Sequence, residues 1–276
     1  MHPRFEGKAI FVTGASSGIG AALAREFARE GARVALAARR AGALEEIALT
    51  ITTNGGTAVS LTCDVTDQAS VCAAVASAAG QFGGIDVAVA NAGFGVSGAF
   101  ERLNTADFRR QFDTNFFGVL NTVYACLPHL EKTKGRLAIV SSVMGRAGMP
   151  ASAPYCASKF AVCGLAECLH YDLAAKGISV TCINPGLVES NIRRTDNDGV
   201  FKDERKDPAP SFLVMPAERA ARAMINAIHR RQFEATITGH GKLIAFAARH
   251  LPRTFRTALR LATRNRIEEV ENRKRG

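Results

Sequence analysis

The 276-residue chain has 47% hydrophobic and 22% charged residues, a balance that supports a packed core and excludes wholesale disorder. No run approaches the roughly 18 apolar residues of a membrane span, and residues 1–8 lack the apolar stretch of a signal peptide, so neither a spanning helix nor export is expected. The net charge of +10 is unevenly placed: residues 1–192 carry 16 basic and 15 acidic side chains, leaving 19 basic and 10 acidic for residues 193–276.

Residues 8–13 (KAIFVT) form a short β-branched and aromatic run that stops at a glycine cluster, and 21–30 has helical composition. The same unit recurs as strand 33–38 with helix 41–53, closed by Asn54-Gly55-Gly56, and as strand 58–63 with helix 67–79. Strand 86–90, a helix over about 105–131, strand 136–141, a helix over about 153–176 and strand 178–183 continue it. Several of these strands are uninterrupted apolar runs, the pattern of a parallel sheet covered by helices on both faces. The expected fold is α/β, a doubly wound, Rossmann-like parallel sheet of six or seven strands with a C-terminal helical extension, and ligands outside the carboxyl ends of the strands. One large unit, residues 1–240, would carry the site and include a substrate loop at 187–216. Its stretch 193–210 is too polar for a core element and is expected to be a mobile loop or lid. A helix over 217–231 and a last strand over 233–238 precede the extension, 241–276.

Seven cysteines occur without any CxxC pair, which reads as reduced core residues in a cytoplasmic chain and not as a zinc site. No histidine pairs with a serine and an acid in the manner of a hydrolase triad. Cys156 and Cys163 read as packing residues.

The first loop, Thr13-Gly14-Ala15-Ser16-Ser17-Gly18-Ile19-Gly20, stands between a strand and a helix. Glycines there let the backbone turn sharply and approach a pyrophosphate, whose charge meets free N–H groups at the helix start. Selection of NAD normally uses an acidic residue at the end of the second strand. This chain has Ala38 there, followed by Arg39 and Arg40, and two guanidiniums suit a 2′-phosphate. NADP(H) is therefore favoured over NAD(H). Tyr155 and Lys159 are i and i+4 on one helical face. An ammonium and a cationic nicotinamide beside a phenol would lower its pKa, and about 3 units of lowering asks for roughly 4 kcal/mol. Ser142 would hydrogen-bond a carbonyl oxygen.

Taken in order, Thr13, Gly14, Gly18 and Gly20, Asp64-Val65, Asn91-Ala92-Gly93, Asn115, Ser142, Tyr155-x-x-x-Lys159 and Pro185-Gly186 resemble the short-chain dehydrogenase/reductase family over roughly residues 8–190. The resemblance implies Tyr155 as general acid/base and Ser142 as the residue that orients the substrate oxygen. It implies Lys159 on the nicotinamide ribose, lowering the tyrosine pKa, and Asn115 positioning a water in a proton relay. Asp64 and Val65 would touch adenine, and Asn91 would stabilise the central strand and border a ribose with Ala92 and Gly93. Ser16, Ser17 and Ile19 in the first loop, and Pro185, Gly186, Val188 and Ser190 in the last, complete the expected cofactor contacts. Ser190 stands where the family often has threonine, and the hydroxyl is kept. The expected activity is NADP(H)-dependent hydride transfer to or from the carbonyl or alcohol of an apolar substrate, by a homodimer or homotetramer. A 3-oxoacyl-thioester reductase, or a non-catalytic NADP-binding sensor or scaffold, is the alternative.

Between residues 219 and 266 there are eleven basic residues and one acid, Glu234. Over 242–266 apolar residues recur at three- and four-residue steps beside the arginines, with a break or kink expected at Pro252. Such a helix suits packing on its own domain, a second subunit or, as a peripheral contact, an anionic membrane surface. No nucleic-acid motif accompanies it.

Overall fold

The computed structural model describes residues 3–201, 204, 207 and 209–272, with side chains described up to Thr263. The predicted alternation is the observed one. Strands β1 (Ala9–Thr13), β2 (Arg33–Ala38), β3 (Thr57–Thr62), β4 (Val87–Ala90), β5 (Arg136–Val140), β6 (Ser179–Asn184) and β7 (Glu234–Thr236) form a seven-stranded sheet in the order β3-β2-β1-β4-β5-β6-β7. Every pairing is parallel. The chain builds outward from β1 to β3, then returns to start β4 on the other side of β1. The loops after β1 and β4 therefore diverge and leave a crevice at their carboxyl ends.

Side-chain alternation along the strands feeds two cores. On one face Ile10, Val12, Val34, Leu36, Val87 and Val89 pack under α1 (Gly18–Arg29), α2 (Ala41–Thr53) and α7 (Ala217–His229). On the other, Phe11, Ala35, Ala88, Leu137, Ile139 and Val180 pack under α3 (Gln68–Phe82), α5 (Gly118–Thr133) and α6 (Ala153–Ala174). Five cysteines are buried as expected, but Cys72 and Cys168 are exposed, because each falls on the outward side of its helix.

The long helix expected over 105–131 is interrupted. It consists of α4 (Thr105–Phe112), a π-helical turn Asp113–Phe117 and α5. Asn115 sits in that turn with its amide held by the Phe94 backbone, a local widening of the kind that re-aims one side chain within a helix. The first helix starts earlier than expected, at Gly18, because the loop glycines themselves form its first turn. The last strand is shorter than expected. Thr238 leaves the sheet to cap α8 (Gly239–His250), its Oγ1 accepting from Gly241 N at 3.1 Å. Leu251 then separates α8 from α9 (Pro252–Asn272), so the predicted break at Pro252 is a helix start. The side chains of Arg264 and Arg266 lie outside the described residues.

Among the described residues no helix is long and apolar enough to cross a membrane, and no group of three or more His, Cys, Asp or Glu is placed to hold a metal.

Candidate active site

One cleft lies outside the carboxyl ends of β1, β4, β5 and β6. Its walls contain every expected cofactor contact: Gly14 and Ser16 to Gly20, Arg39 and Arg40, Asp64 and Val65, Asn91 to Gly93, Pro185, Gly186, Val188 and Ser190. Ser142, Tyr155 and Lys159 line the same cleft.

The glycine loop is forced by close packing. Gly14 has φ +66° and Gly18 has φ +53°, backbone conformations that other residues adopt only with strain. A Cβ on Gly20 would collide with the Gly14 carbonyl and stand 2.6 Å from Asn91 Nδ2. Asn91 in turn donates from Nδ2 to Thr13 O at 2.9 Å, while Thr13 Oγ1 accepts from Asn91 N at 3.0 Å and Ala92 N at 3.2 Å. These bonds lock the ends of β1 and β4 at the crevice. Helix α1 opens on Ser17 with no side-chain cap and no acidic residue in its first turn. Its first N–H groups and the positive end of its dipole thus face the cleft without an internal acceptor, and the residues present fit a dinucleotide phosphate there.

The two arginines after β2 differ. Arg40 donates to Ser16 O at 3.2 Å, Ser16 Oγ at 3.0 Å and Ser17 Oγ at 2.8 Å, so it braces the glycine loop. Arg39 is exposed on the cleft wall, and no described carboxylate pairs with it. Asp64 uses Oδ1 to accept from Thr66 N at 2.9 Å and Thr66 Oγ1 at 2.8 Å. Ser190 packs its Cβ against Gly18, close enough that a Cβ on the glycine would stand 3.1 Å from it.

The alternation of the strand carries over to the two serines that follow β5 and separates them. Ser141 turns away, donating from Oγ to Lys159 O at 3.0 Å. Ser142 turns to the cleft, where its Oγ accepts from Met144 N at 3.1 Å. Tyr155 is half-buried as a whole, but its hydroxyl is desolvated, and burial pushes its pKa up to about 12 against the opposite pull of the Ser142 hydroxyl. Lys159 is buried, donates from Nζ to Val140 O at 2.9 Å and lies 5.8 Å from the centre of the Tyr155 ring. Burial pushes its pKa down to about 8. The lowering of the phenol expected from Lys159 is not a property of the protein by itself: burial raises the Tyr155 hydroxyl, and the positive charge that opposes it is that of Arg193.

Asn115 is fully buried and does not line the cleft. Its Oδ1 accepts from Phe94 N at 3.1 Å, and its Nδ2 donates to Phe94 O at 3.1 Å and Ser158 Oγ at 3.2 Å. Ser158 donates onward to Tyr155 O at 2.8 Å. This hydroxyl was missed in the sequence, although its place between the tyrosine and the lysine on one helix was a signal. Arg193 was also missed. It lines the cleft, acts on the Tyr155 hydroxyl as a positive charge that lowers its pKa, and is held by Asp207 through Nε at 2.7 Å and Nη2 at 2.6 Å. No periodicity marks a residue in a polar loop.

Within the described part of that loop, Asn197 is hydrogen-bonded to the segment after β4 and to α4. Ser97 N donates to Asn197 Oδ1 at 3.0 Å, Asn197 Nδ2 donates to Ser97 O at 2.9 Å, and Arg110 Nε donates to Asn197 O at 2.9 Å.

The chain is 34% identical over 230 residues to glycine betaine reductase of Emericella nidulans, covering 83% of this chain but 18% of that protein. It is 32% identical over 251 residues to dehydrogenase/reductase SDR family member 7 of Mus musculus, covering 88% of this chain and 74% of that one. Among solved structures, an alcohol dehydrogenase of Thermococcus sibiricus complexed with 5-hydroxy-NADP superposes with a TM-score of 0.74 at 26% identity, over 84% of this chain and 96% of that one. A short chain dehydrogenase/reductase of Burkholderia phymatum in complex with NAD gives 0.80 at 26% identity, over 92% and 96%. A family model described as short chain dehydrogenase matches residues 8–200, the span that holds β1 to β6 and the cleft, and the chain belongs to the short-chain dehydrogenase/reductase family.

Proposed function

We propose that the protein is an NADP(H)-dependent oxidoreductase acting on the carbonyl or secondary alcohol of an apolar substrate, with Tyr155 as the general acid/base. The observation that carries this reading is the convergence of Ser142, Tyr155 and Lys159 in the cleft that the uncapped start of α1 also faces. The glycine loop, Asp64, Val65, Asn91 and the segment Pro185 to Ser190 would hold the dinucleotide, which supplies or accepts the hydride when bound. Arg39 favours a 2′-phosphate by charge and because no described carboxylate competes for it. Phe94, Val188, Ile192 and Phe201 on the cleft wall favour an apolar substrate.

In the direction of reduction, Tyr155 donates its proton to the substrate oxygen while the Ser142 hydroxyl orients that oxygen. A phenol pushed up to about 12 is a proton donor in the free protein, not an acceptor. Bringing it to neutrality for oxidation requires about 5 units, roughly 7 kcal/mol, of added preference for the phenolate. Lys159 and Arg193 are the protein's cations placed to contribute. Asn115 and Ser158 hold the Tyr155 backbone and the loop at Phe94 in register, which supports a role for Asn115 in ordering the relay.

The exposed aromatic side chains Tyr124 on α5, and Phe160 and Tyr171 on α6, support a homodimer or homotetramer formed through that outer layer. A cytoplasmic setting belongs to the same proposal. The test is oxidation of NADPH against a panel of aldehydes and ketones. Tyr155→Phe is expected to keep cofactor affinity and to lose on the order of 10² to 10⁴ in rate; near-wild-type turnover by the variant would overturn the mechanism.

A further inference from the structure

Helices α8 and α9 use little of their surface for packing. In α8 only Gly241 is buried, and in α9 no described side chain up to Thr263 is. Leu243, Phe246, Leu251 and Leu261 stand 69%, 56%, 53% and 60% exposed, a row of large apolar side chains more than half open to solvent. Lys242, Arg249, Arg253, Arg256 and Arg260 are exposed beside them. No aspartate or glutamate occurs between residues 239 and 263, and none of these five cations forms a salt bridge among the described residues.

The root of this surface is fastened to the mouth of the cleft. Leu187 N donates to His240 Nε2 at 2.9 Å, and Thr238 Oγ1 lies 3.1 Å from the same nitrogen. A Cβ on Gly241 would stand 2.8 Å from Val143 Cγ2, so the helix start lies directly on the residue after Ser142. Gly186 packs as closely from the other side, where a Cβ would stand 2.6 Å from His240 Nε2.

We infer that α8 and α9 form a docking surface for an anionic lipid membrane and set the mouth of the cleft against it. Charge complementarity selects this occupant. A second copy meeting the acid-free stretch 242–263 across a two-fold axis through it would bring cations against cations, the glutamates of α9 lying beyond it at 268, 269 and 271, and a nucleic acid would meet the arginines but leave Leu243 and Phe246 uncovered. Lipid phosphates take the cations, and the acyl boundary beneath them takes the apolar stripe. The inference goes beyond the oxidoreductase reading and does not need it, since its test reads binding and not turnover.

The experiment is co-sedimentation of the full chain with vesicles of phosphatidylcholine alone and of two parts phosphatidylcholine to one part phosphatidylglycerol. The salt is set at 0.1 M and 1 M, where the Debye length falls from about 10 Å to about 3 Å. Binding is expected on the mixed vesicles at low salt, and at least tenfold less at high salt or on phosphatidylcholine. Leu243→Ser with Phe246→Ser, both exposed, is expected to cost a further tenfold with an unchanged melting temperature. Arg249→Gln with Arg253→Gln and Arg256→Gln should remove most of the salt response. On mixed vesicles the amides of 186–190, as well as those of 242–251, should exchange more slowly with solvent. A wild-type chain that stays in the supernatant with mixed vesicles at low salt overturns the proposal, as does binding indifferent to the Leu243 and Phe246 changes. A change of oligomeric mass in the Leu243/Phe246 variant without lipid assigns the face to a contact between copies and also overturns it. Protection of 242–251 without 186–190 refutes the placement of the mouth.

Discussion

At the scale of single residues the site holds two desolvated groups whose charged forms the free protein disfavours. Lys159, pushed down to about 8 from 10.5, binds fewer protons folded than unfolded between those values. The native state is therefore relatively more stable above the unfolded pKa and loses that advantage as pH falls toward 8. Without cofactor, the stability of wild type relative to Lys159→Met is expected to rise by roughly 3 kcal/mol between pH 8 and 10.5. Denaturant titrations of both proteins across that range measure it, and a flat difference would refute the burial of the ammonium. The arginines after β2 should separate in the same residue-by-residue way. Arg39→Ala is expected to weaken NADPH about tenfold and leave NADH unchanged, the loss of one charge-assisted contact. Arg40→Ala removes the brace on Ser16 and Ser17 and should weaken both cofactors alike. Fluorescence titration distinguishes the two patterns.

At the scale of elements, the closest constraint is the approach of α1 to the end of β1. The first turn of the helix passes so near the Gly14 carbonyl and the Asn91 amide that position 20 has no room for a methyl group. Gly20→Ala is expected to lower stability by about 1–3 kcal/mol, as overpacking does, and to reduce cofactor affinity together with it, because the displaced turn is the one that presents N–H groups to the cleft. Thermal denaturation and cofactor titration of the same variant test the pair of effects. Unchanged affinity in a destabilised protein would mean that α1 moves as a body without disturbing the phosphate site. The π-helical turn at Asp113–Phe117 belongs to this scale too. A regular helix through 105–131 was the natural reading of the composition, since the choice between successive hydrogen-bond partners costs little locally and was decided by the Phe94 backbone clasping Asn115.

At the scale of the whole molecule the two cores are built by the sheet and the helices up to α7, while α8 contributes one buried residue. We therefore propose that residues 1–240 are the folding and catalytic unit and 241–276 an extension. A chain ending at residue 240 keeps the His240 ring and is expected to melt within a few degrees of the full chain, since a loss of about 1 kcal/mol shifts a protein of this size by only 2–4 °C. Calorimetry of the two chains checks this, and a drop of 10 °C or more, on the same scale, would make the extension part of the core.

The amino-acid sequence by itself determined where β2 and α2 begin and end, the parallel order implied by alternating strands and helices, and that Gly14, Gly18, Gly20, Tyr155 and Lys159 meet at one cleft. In each case the signal is local: a continuous apolar run, a glycine that must turn, a tyrosine and a lysine one helical turn apart. Only the tertiary structure decided which arginine braces the loop and which remains open, and that Asn115 faces a loop instead of the cleft. It also decided that Thr238 leaves the last strand to cap a helix, that His240 accepts from Leu187, and that burial raises the phenol when neighbouring charge alone would lower it. Each of these depends on the distance between groups far apart in the chain, 53 residues for His240 and Leu187, and on how much water the packed protein removes from between them.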